Sequence, residues 1–204
     1  MAVSLQAKGE KLRKNVYSTN FFLRPTEEVA RNLLGAILLH ETEEGVTAGM
    51  IVETEAYLSC NDPACHAACG MTKRNAPMFG KPGTVYVYKI YGMHCCFNVV
   101  TGPEGRGEAV LVRALEPIAG IELMQKRRGK KDLRDLCSGP AKLVEAMGIT
   151  LDLNGASLME GPLYLLRRRR RPQAIVTTTR VGISKGADLP LRFYIAGNPY
   201  VSVK

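Results

Sequence analysis

The segment Ile51-Val52-Glu53-Thr54-Glu55-Ala56-Tyr57-Leu58 constrains the fold most. It is rich in residues that favour extended backbone, and successive side chains along a strand point to opposite faces. Val52, Thr54, Ala56 and Leu58 can therefore pack inward together, while Glu53, Glu55 and Tyr57 share the other face. Two carboxylates and a phenol on one face are costly to bury and ordinary to expose. Taken alone, that face reads as solvated, because acidic side chains are seldom buried. The alternative is a carboxylate base beside an aromatic platform.

Turn and period signals organise the rest. Pro25 and Thr26 open a helix, Glu27 and Glu28 suit its positive end, and Val29, Leu33, Leu34 and Ile37 form its apolar stripe. His40 then falls at the helix end, where a cation favours the dipole. A strand is expected over 46–58, followed by a loop over 59–82, long enough to suggest a functional role. Residues 83–100 read as a β-hairpin, with Tyr86 and Tyr88 on one face and Tyr91-Gly92 at the turn. A third strand spans 109–115, and Pro117 opens a helix to about Arg128. A second helix covers 140–147, capped by Ser138 and stopped by Gly148. Strands near 175–181 and 191–196 finish the chain. The expected fold is α+β: one compact domain over 17–204, preceded by a flexible basic arm over 1–16.

Composition narrows the partners. The 204 residues carry 28 Lys and Arg against 19 Asp and Glu, a net charge of +9, and the isoelectric point is near 9.4. Such a surface favours a polyanion, with nucleic acid first and an anionic membrane second. The longest apolar stretch, 33–39, falls far short of the ~20 residues of a membrane span. Lys8, Glu10 and Lys11 interrupt any signal-peptide core. Six cysteines without a secretory signal read as thiols in a reducing compartment. An intracellular protein is expected, in a nucleus or a bacterial cytoplasm, with no membrane association.

Several segments, in order, resemble the alkyladenine (3-methyladenine) DNA glycosylase family: 51–58, Arg74-Asn75-Ala76-Pro77-Met78-Phe79, Lys81 to Met93, Val110 to Pro117, Leu136 to Leu143, and Leu191-Arg192-Phe193-Tyr194-Ile195. The resemblance runs from about Tyr17 to the C-terminus, and its specificity lies in the combination. It implies a curved, mostly antiparallel sheet with surrounding helices and a protruding β-hairpin. It also implies a monomeric base-excision-repair enzyme that flips 3-methyladenine, 7-methylguanine, hypoxanthine or ethenoadenine out of double-stranded DNA. The N-glycosidic bond is then hydrolysed, leaving an abasic site.

Matched residue by residue, Glu55 takes the place of the carboxylate that activates water. Tyr57 and Tyr88 match the aromatics that sandwich the base, and His66 completes the pocket. Tyr91, with Met93 beside it, matches the wedge that fills the vacated space. Asn98 matches the screen against the amine of normal guanine, and Arg113 the group that holds the flipped nucleotide's backbone. No lysine stands at the matched catalytic positions, so no lyase step is expected, and the resemblance brings no cofactor or metal.

The chemistry suits these roles. A carboxylate stabilises the oxocarbenium-like sugar and orients water, a contribution of ~10²–10⁴-fold. Methylated purines are cationic, stack well between tyrosines and leave without protonation. Neutral hypoxanthine needs a proton donor, a role to which the sequence assigns no residue.

Three features depart from the pattern: His94 after Met93, the thiols Cys60, Cys65 and Cys69 around His66, and five arginines at 167–171. The Cys/His cluster lacks a C-x2-C pair and reads as free thiols rather than zinc ligands. The arginines suit a solvated loop, phosphate contacts or a nuclear localisation signal. Two other classes stay open at this stage: a catalytically silent nucleic-acid-binding module and a zinc-dependent hydrolase or deaminase.

Overall fold

The computed structural model describes residues 15–90, 92–168 and 170–203. Eight strands form one curled antiparallel sheet: β1 (Ile37–Thr42), β2 (Gly45–Tyr57), β3 (Val85–Ile90), β4 (His94–Thr101), β5 (Glu108–Ala119), β6 (Leu163–Leu166), β7 (Ile175–Thr178) and β8 (Arg192–Ile195). The order is β3-β4-β5-β2-β1-β6, with β8 joining β2 and β7 joining β8. Helices α1 (Thr19–Phe22), α2 (Thr26–Leu33), α3 (Ile121–Arg128), α4 (Leu133–Cys137) and α5 (Pro140–Met147) surround the sheet. The α+β single domain with a curved sheet and surrounding helices is the architecture expected from sequence.

The long strand β2 is the spine. Its first half pairs with β1, and residues Glu53 to Glu55 pair with β8; β5 runs along the other edge of both. Thr54 donates its hydroxyl to the Ala30 carbonyl at 3.0 Å, so α2 covers the Thr54 face. Val29 and Leu33 of α2 pack with Ile51, Phe97, Leu115 and Leu143 in the main core, each buried aliphatic side chain contributing roughly 1.5–3 kcal/mol. The expected face alternation of β2 holds from Glu53 onward, but Ile51 rather than Val52 joins the main core, because the strand bulges at Val52. Its polar face is not solvated, however: Glu53 and Glu55 are fully buried, because their strand is central and side chains close over that face as well.

Local differences have local causes. Gly35, at φ +84, turns the chain after α2, so Ile37 belongs to β1 and not to a helical stripe. His40 consequently sits on that strand, buried, with Nδ1 2.8 Å from the Met147 carbonyl; it does not cap a helix. β5 continues through Pro117, which pairs with Gly49. β4 leaves β5 beyond Leu111, so one edge is open at Pro117 and the missing N–H costs no ladder bond there. The helix expected from Pro117 begins instead at Ile121. Gly139, not Ser138, is the N-cap of α5; Ser138 Oγ instead donates to the Arg134 carbonyl of α4. Gly148, at φ +69, does stop α5.

The β3–β4 hairpin projects as expected: its ladder runs from Val85↔Val99 to Ile90↔His94, while β4 touches β5 only from Asn98 to Thr101. Of the expected N-terminal arm, residues 1–14 lie outside the described residues. Val16 bridges to Leu166, and the Asn15 carbonyl accepts from Arg167 N at 2.8 Å.

Candidate active site

One transverse row of the sheet gathers most of the candidate residues. Tyr86 pairs with Asn98, Asn98 with Leu111, Leu111 with Glu55, and Glu55 with Arg192. Directly opposed residues of neighbouring strands share a face, so this row turns Tyr86, Asn98, Glu55 and Arg192 to the side away from α2. Tyr57 and Tyr88 lie two residues further along their strands and face the same way.

Register breaks next to Glu53 aim the arginine. β2 and β5 pair Ile51 with Leu115, Glu53 with Ala114 and Thr54 with Val112. Val52 is thus unpaired on β2 and Arg113 unpaired on β5, two bulges that cancel. A bulge re-aims a side chain locally. Arg113 directs Nε to Glu53 Oε1 at 3.1 Å and Nη1 to Glu55 Oε1 at 3.2 Å. Its Nη1 also reaches the Val181 carbonyl at 3.5 Å, and Nη2 donates to Ser202 Oγ at 3.3 Å.

Glu55 is held on every side. Val181 N–H donates to Oε1 at 2.8 Å, and Tyr57 O–H donates to Oε2 at 2.9 Å. Burial pushes its pKa above the ordinary carboxylate value, against the pull of Arg113, the Val181 N–H and the Tyr57 hydroxyl. Tyr57 itself stays protonated, since burial and the neighbouring Glu55 charge both raise its pKa. An ionised carboxylate offers about four lone-pair directions, and among the described residues three partners occupy them.

The aromatic residues cluster beside it. Tyr57, Tyr88 and Phe79 pack on a small second core of Cys65, Met78, Tyr86, Val100 and Ala109. The His66 ring meets Tyr88 edge-on, with centroids 4.5 Å apart, and its Nδ1 lies 2.9 Å from the Tyr86 hydroxyl. Burial, then the charge of Arg74, lowers the His66 pKa, which keeps the ring neutral at pH 7. Burial holds the Tyr86 hydroxyl up at about 12. A cleft of about 530 Å³ opens beside His66 and Tyr86, with Thr72, Arg74, Asn75 and Lys185 among its walls; neither Glu55 nor Tyr57 lines it. Asn98 is buried and donates Nδ2 to the Tyr86 carbonyl at 3.1 Å. Met93 stands 80% exposed at the hairpin tip. Tyr91, expected as the wedge, lies outside the described residues.

Sequence reasoning missed several residues at this site. Arg180 and Asp62 form a fully buried pair with two contacts of 2.6 Å, and the guanidinium carbon lies 4.6 Å from the Tyr57 ring centre. Arg192 and Ser202 complete the Glu53 partners, with Arg192 Nη1 2.8 Å from Oε1 and Ser202 N 2.6 Å from Oε2. Asn75 organises the His66 loop, bonding the His66 and Gly70 carbonyls through Nδ2 and Thr72 through Oδ1. Arg192 and Asn75 stood in the segments that carry the resemblance. Nothing in the sequence pointed to the Asp62–Arg180 pairing.

The residues read as departures are placed as follows. Cys65 is buried with Sγ toward the Gly107 carbonyl, and Cys60 and Cys69 are exposed. Among the described residues no three His, Cys, Asp or Glu side chains converge as a metal cluster. Arg168 bonds the Leu34 carbonyl and Asn32 Oδ1, tying it to the helix on the opposite side of the sheet from Glu55. Arg167, Arg170 and Arg171 are exposed. No described helix is long and apolar enough to cross a membrane.

A family model described as methylpurine-DNA glycosylase matches residues 20–199. A protein of Methanoculleus marisnigri bearing the name "Putative 3-methyladenine DNA glycosylase" is 59% identical over 186 residues, covering 89% of this chain and 96% of its own length. Proteins of the same name from Carboxydothermus hydrogenoformans and Prosthecochloris aestuarii are 52% and 53% identical, covering 90% of this chain and 97% and 89% of their own lengths.

Proposed function

The chain belongs to the methylpurine-DNA glycosylase family, and from that premise we propose that Glu55 activates a water to release a damaged purine flipped out of duplex DNA. As a DNA glycosylase it is a hydrolase of N-glycosyl bonds, and DNA is its substrate. The observation that carries the finer reading is a fully buried carboxylate with three partners among the described residues, beside a cluster of neutral aromatic rings.

The proposed steps follow from chemistry. A methylated purine is cationic, and the tyrosines with neutral His66 offer it stacking faces without repulsion. The Asp62 carboxylate neutralises Arg180 behind Tyr57, so the cation there does not oppose the lesion. As the glycosidic bond lengthens, positive charge develops on the sugar. Glu55 stabilises it and accepts a proton from the attacking water, which becomes the new oxygen on the sugar carbon.

Arg113 uses four of its five N–H groups on Glu53, Glu55, Val181 and Ser202. Among the described residues one N–H is left, and it is proposed to meet the flipped nucleotide's backbone. Asn98 stands in the same row as Glu55 and is proposed to screen against the amine of guanine. Met93 at the exposed tip, with Tyr91, fills the vacated stack. The substrates proposed are 3-methyladenine, 7-methylguanine, hypoxanthine and ethenoadenine, handled by a monomer inside the cell, where DNA is found.

The test is single-turnover incubation with duplex oligonucleotides carrying 7-methylguanine, hypoxanthine or ethenoadenine. The expected products are free base and an alkali-labile abasic site, with no strand cleavage before alkali. Release of none of these bases contradicts the substrate reading, and direct strand cleavage contradicts the hydrolytic one.

A further inference from the structure

Glu53 is as buried as Glu55 and has no part in the steps above. Its partners come from three elements: Arg113 Nε of β5 at 3.1 Å, Arg192 Nη1 of β8 at 2.8 Å, and Ser202 N near the C-terminus at 2.6 Å. Ser202 also accepts from Arg113 Nη2, and the Val203 carbonyl accepts from Arg192 Nη1 at 2.8 Å. Two carboxylates and two guanidiniums therefore make a neutral set, and Arg113 is the member divided between both carboxylates. Residues two apart on a strand stand about 6.7 Å apart along it, a span that one guanidinium bridges only by presenting different nitrogens to each.

We propose that Glu53 is a positioning residue for this reaction: with Ser202 it holds Arg113 back from a full pairing with Glu55, so that Glu55 shares its counter-charge and keeps an oxygen for water. The inference rests on the reading of Glu55 as the base. A carboxylate paired face-on with an arginine is a weak base with little room for a water. Dividing the arginine leaves Glu55 ionised and still basic. Direct repulsion from the Glu53 charge works in the same direction. The other groups facing Glu55 are Tyr57 on β2, Tyr88 on β3, Cys96 on β4, Arg180 before Val181, and Arg192 on β8. Glu53, unlike these, both touches Arg113 and repels Glu55.

The test is the pH dependence of single-turnover excision by Glu53→Gln beside wild type and Glu55→Gln, with thermal melting and lesion-duplex binding measured on each. Removing the Glu53 charge frees Arg113 to close on Glu55. The acidic limb of the profile is expected to move to lower pH by about one unit, with a lower plateau rate. A limb that stays in place or moves to higher pH overturns the proposal, because loss of structural support alone lowers the rate without that shift. Should Glu53→Gln not fold, Ser202→Ala decides: it removes a contact to Arg113 without removing a charge. Its limb is expected to move the same way by a few tenths of a unit, and an unmoved limb overturns the proposal. Wild-type rates in Glu55→Gln would instead show that the reading of Glu55 itself fails.

Discussion

Tyr57 has a guanidinium over one face, which leaves the other for the base it is proposed to stack on. What makes that tolerable is Asp62, which takes both ends of Arg180 where neither side chain meets solvent. Burial alone would raise the Asp62 pKa; the Arg180 hydrogen bonds, with those of Leu58 N–H and Ala64 N–H, outweigh it and leave the pKa below its ordinary value. The pair's stabilisation is thus present above the unfolded carboxyl pKa of about 3.9 and is lost as pH falls through the lower folded value. Asp62→Asn leaves a buried, unpaired cation, and urea unfolding is expected to show a loss of about 3–5 kcal/mol. The same variant should lose more binding to duplexes with cationic 7-methylguanine than to those with neutral hypoxanthine. Equal losses on both would mean that Arg180 does not act through Tyr57. None of this pairing was legible in the sequence, because 118 residues separate its members and neither carries a local signal.

At the scale of elements, β2 shows what alternation can and cannot reveal. The period of two correctly separated Thr54 and Ala56 from Glu53, Glu55 and Tyr57, because strand geometry dictates it, and failed at Val52, where a bulge gives Ile51 the place in the main core. It could not say that the polar face is closed, since the covering groups arrive from β5, β8 and residues 181 and 202. Nor could it show the paired bulges at Val52 and Arg113, which depend on register between strands. Helix ends were readable where Gly148 breaks the chain, and misread where Pro117 tolerates an open strand edge. The hairpin was readable from its β-prone runs and turn, and its tip is where an element-scale prediction belongs. Met93 is largely exposed, so Met93→Ser should change stability by no more than about 0.5 kcal/mol. If the tip fills the gap left by a flipped base, excision from duplex DNA should slow several-fold while excision from single strands does not. Equal slowing on both substrates would contradict a wedge role.

Across the whole molecule, the two faces of one curled sheet are differently occupied. The α2 side holds most of the core; the other side carries a row of residues from five strands, converging on Glu55. That convergence explains why the resemblance was specific only as an ordered set: each strand contributes one or two residues to a site no single segment contains. The net charge of +9 agrees with a DNA substrate without locating it, and the arginine at 168 proves to be a tie to α2. Burial raises the pKa of Glu55, the proposed base. Activity should therefore fall as pH drops through a value above the ordinary carboxylate range, where Glu55 takes up its proton. The most direct measurement is single-turnover release of ethenoadenine and 7-methylguanine from duplex DNA by wild type and Glu55→Gln at neutral pH, with binding of both proteins to the same duplexes. The rate is expected to fall by ~10²-fold or more with binding retained; excision that survives the substitution would rule out Glu55 and move the base elsewhere.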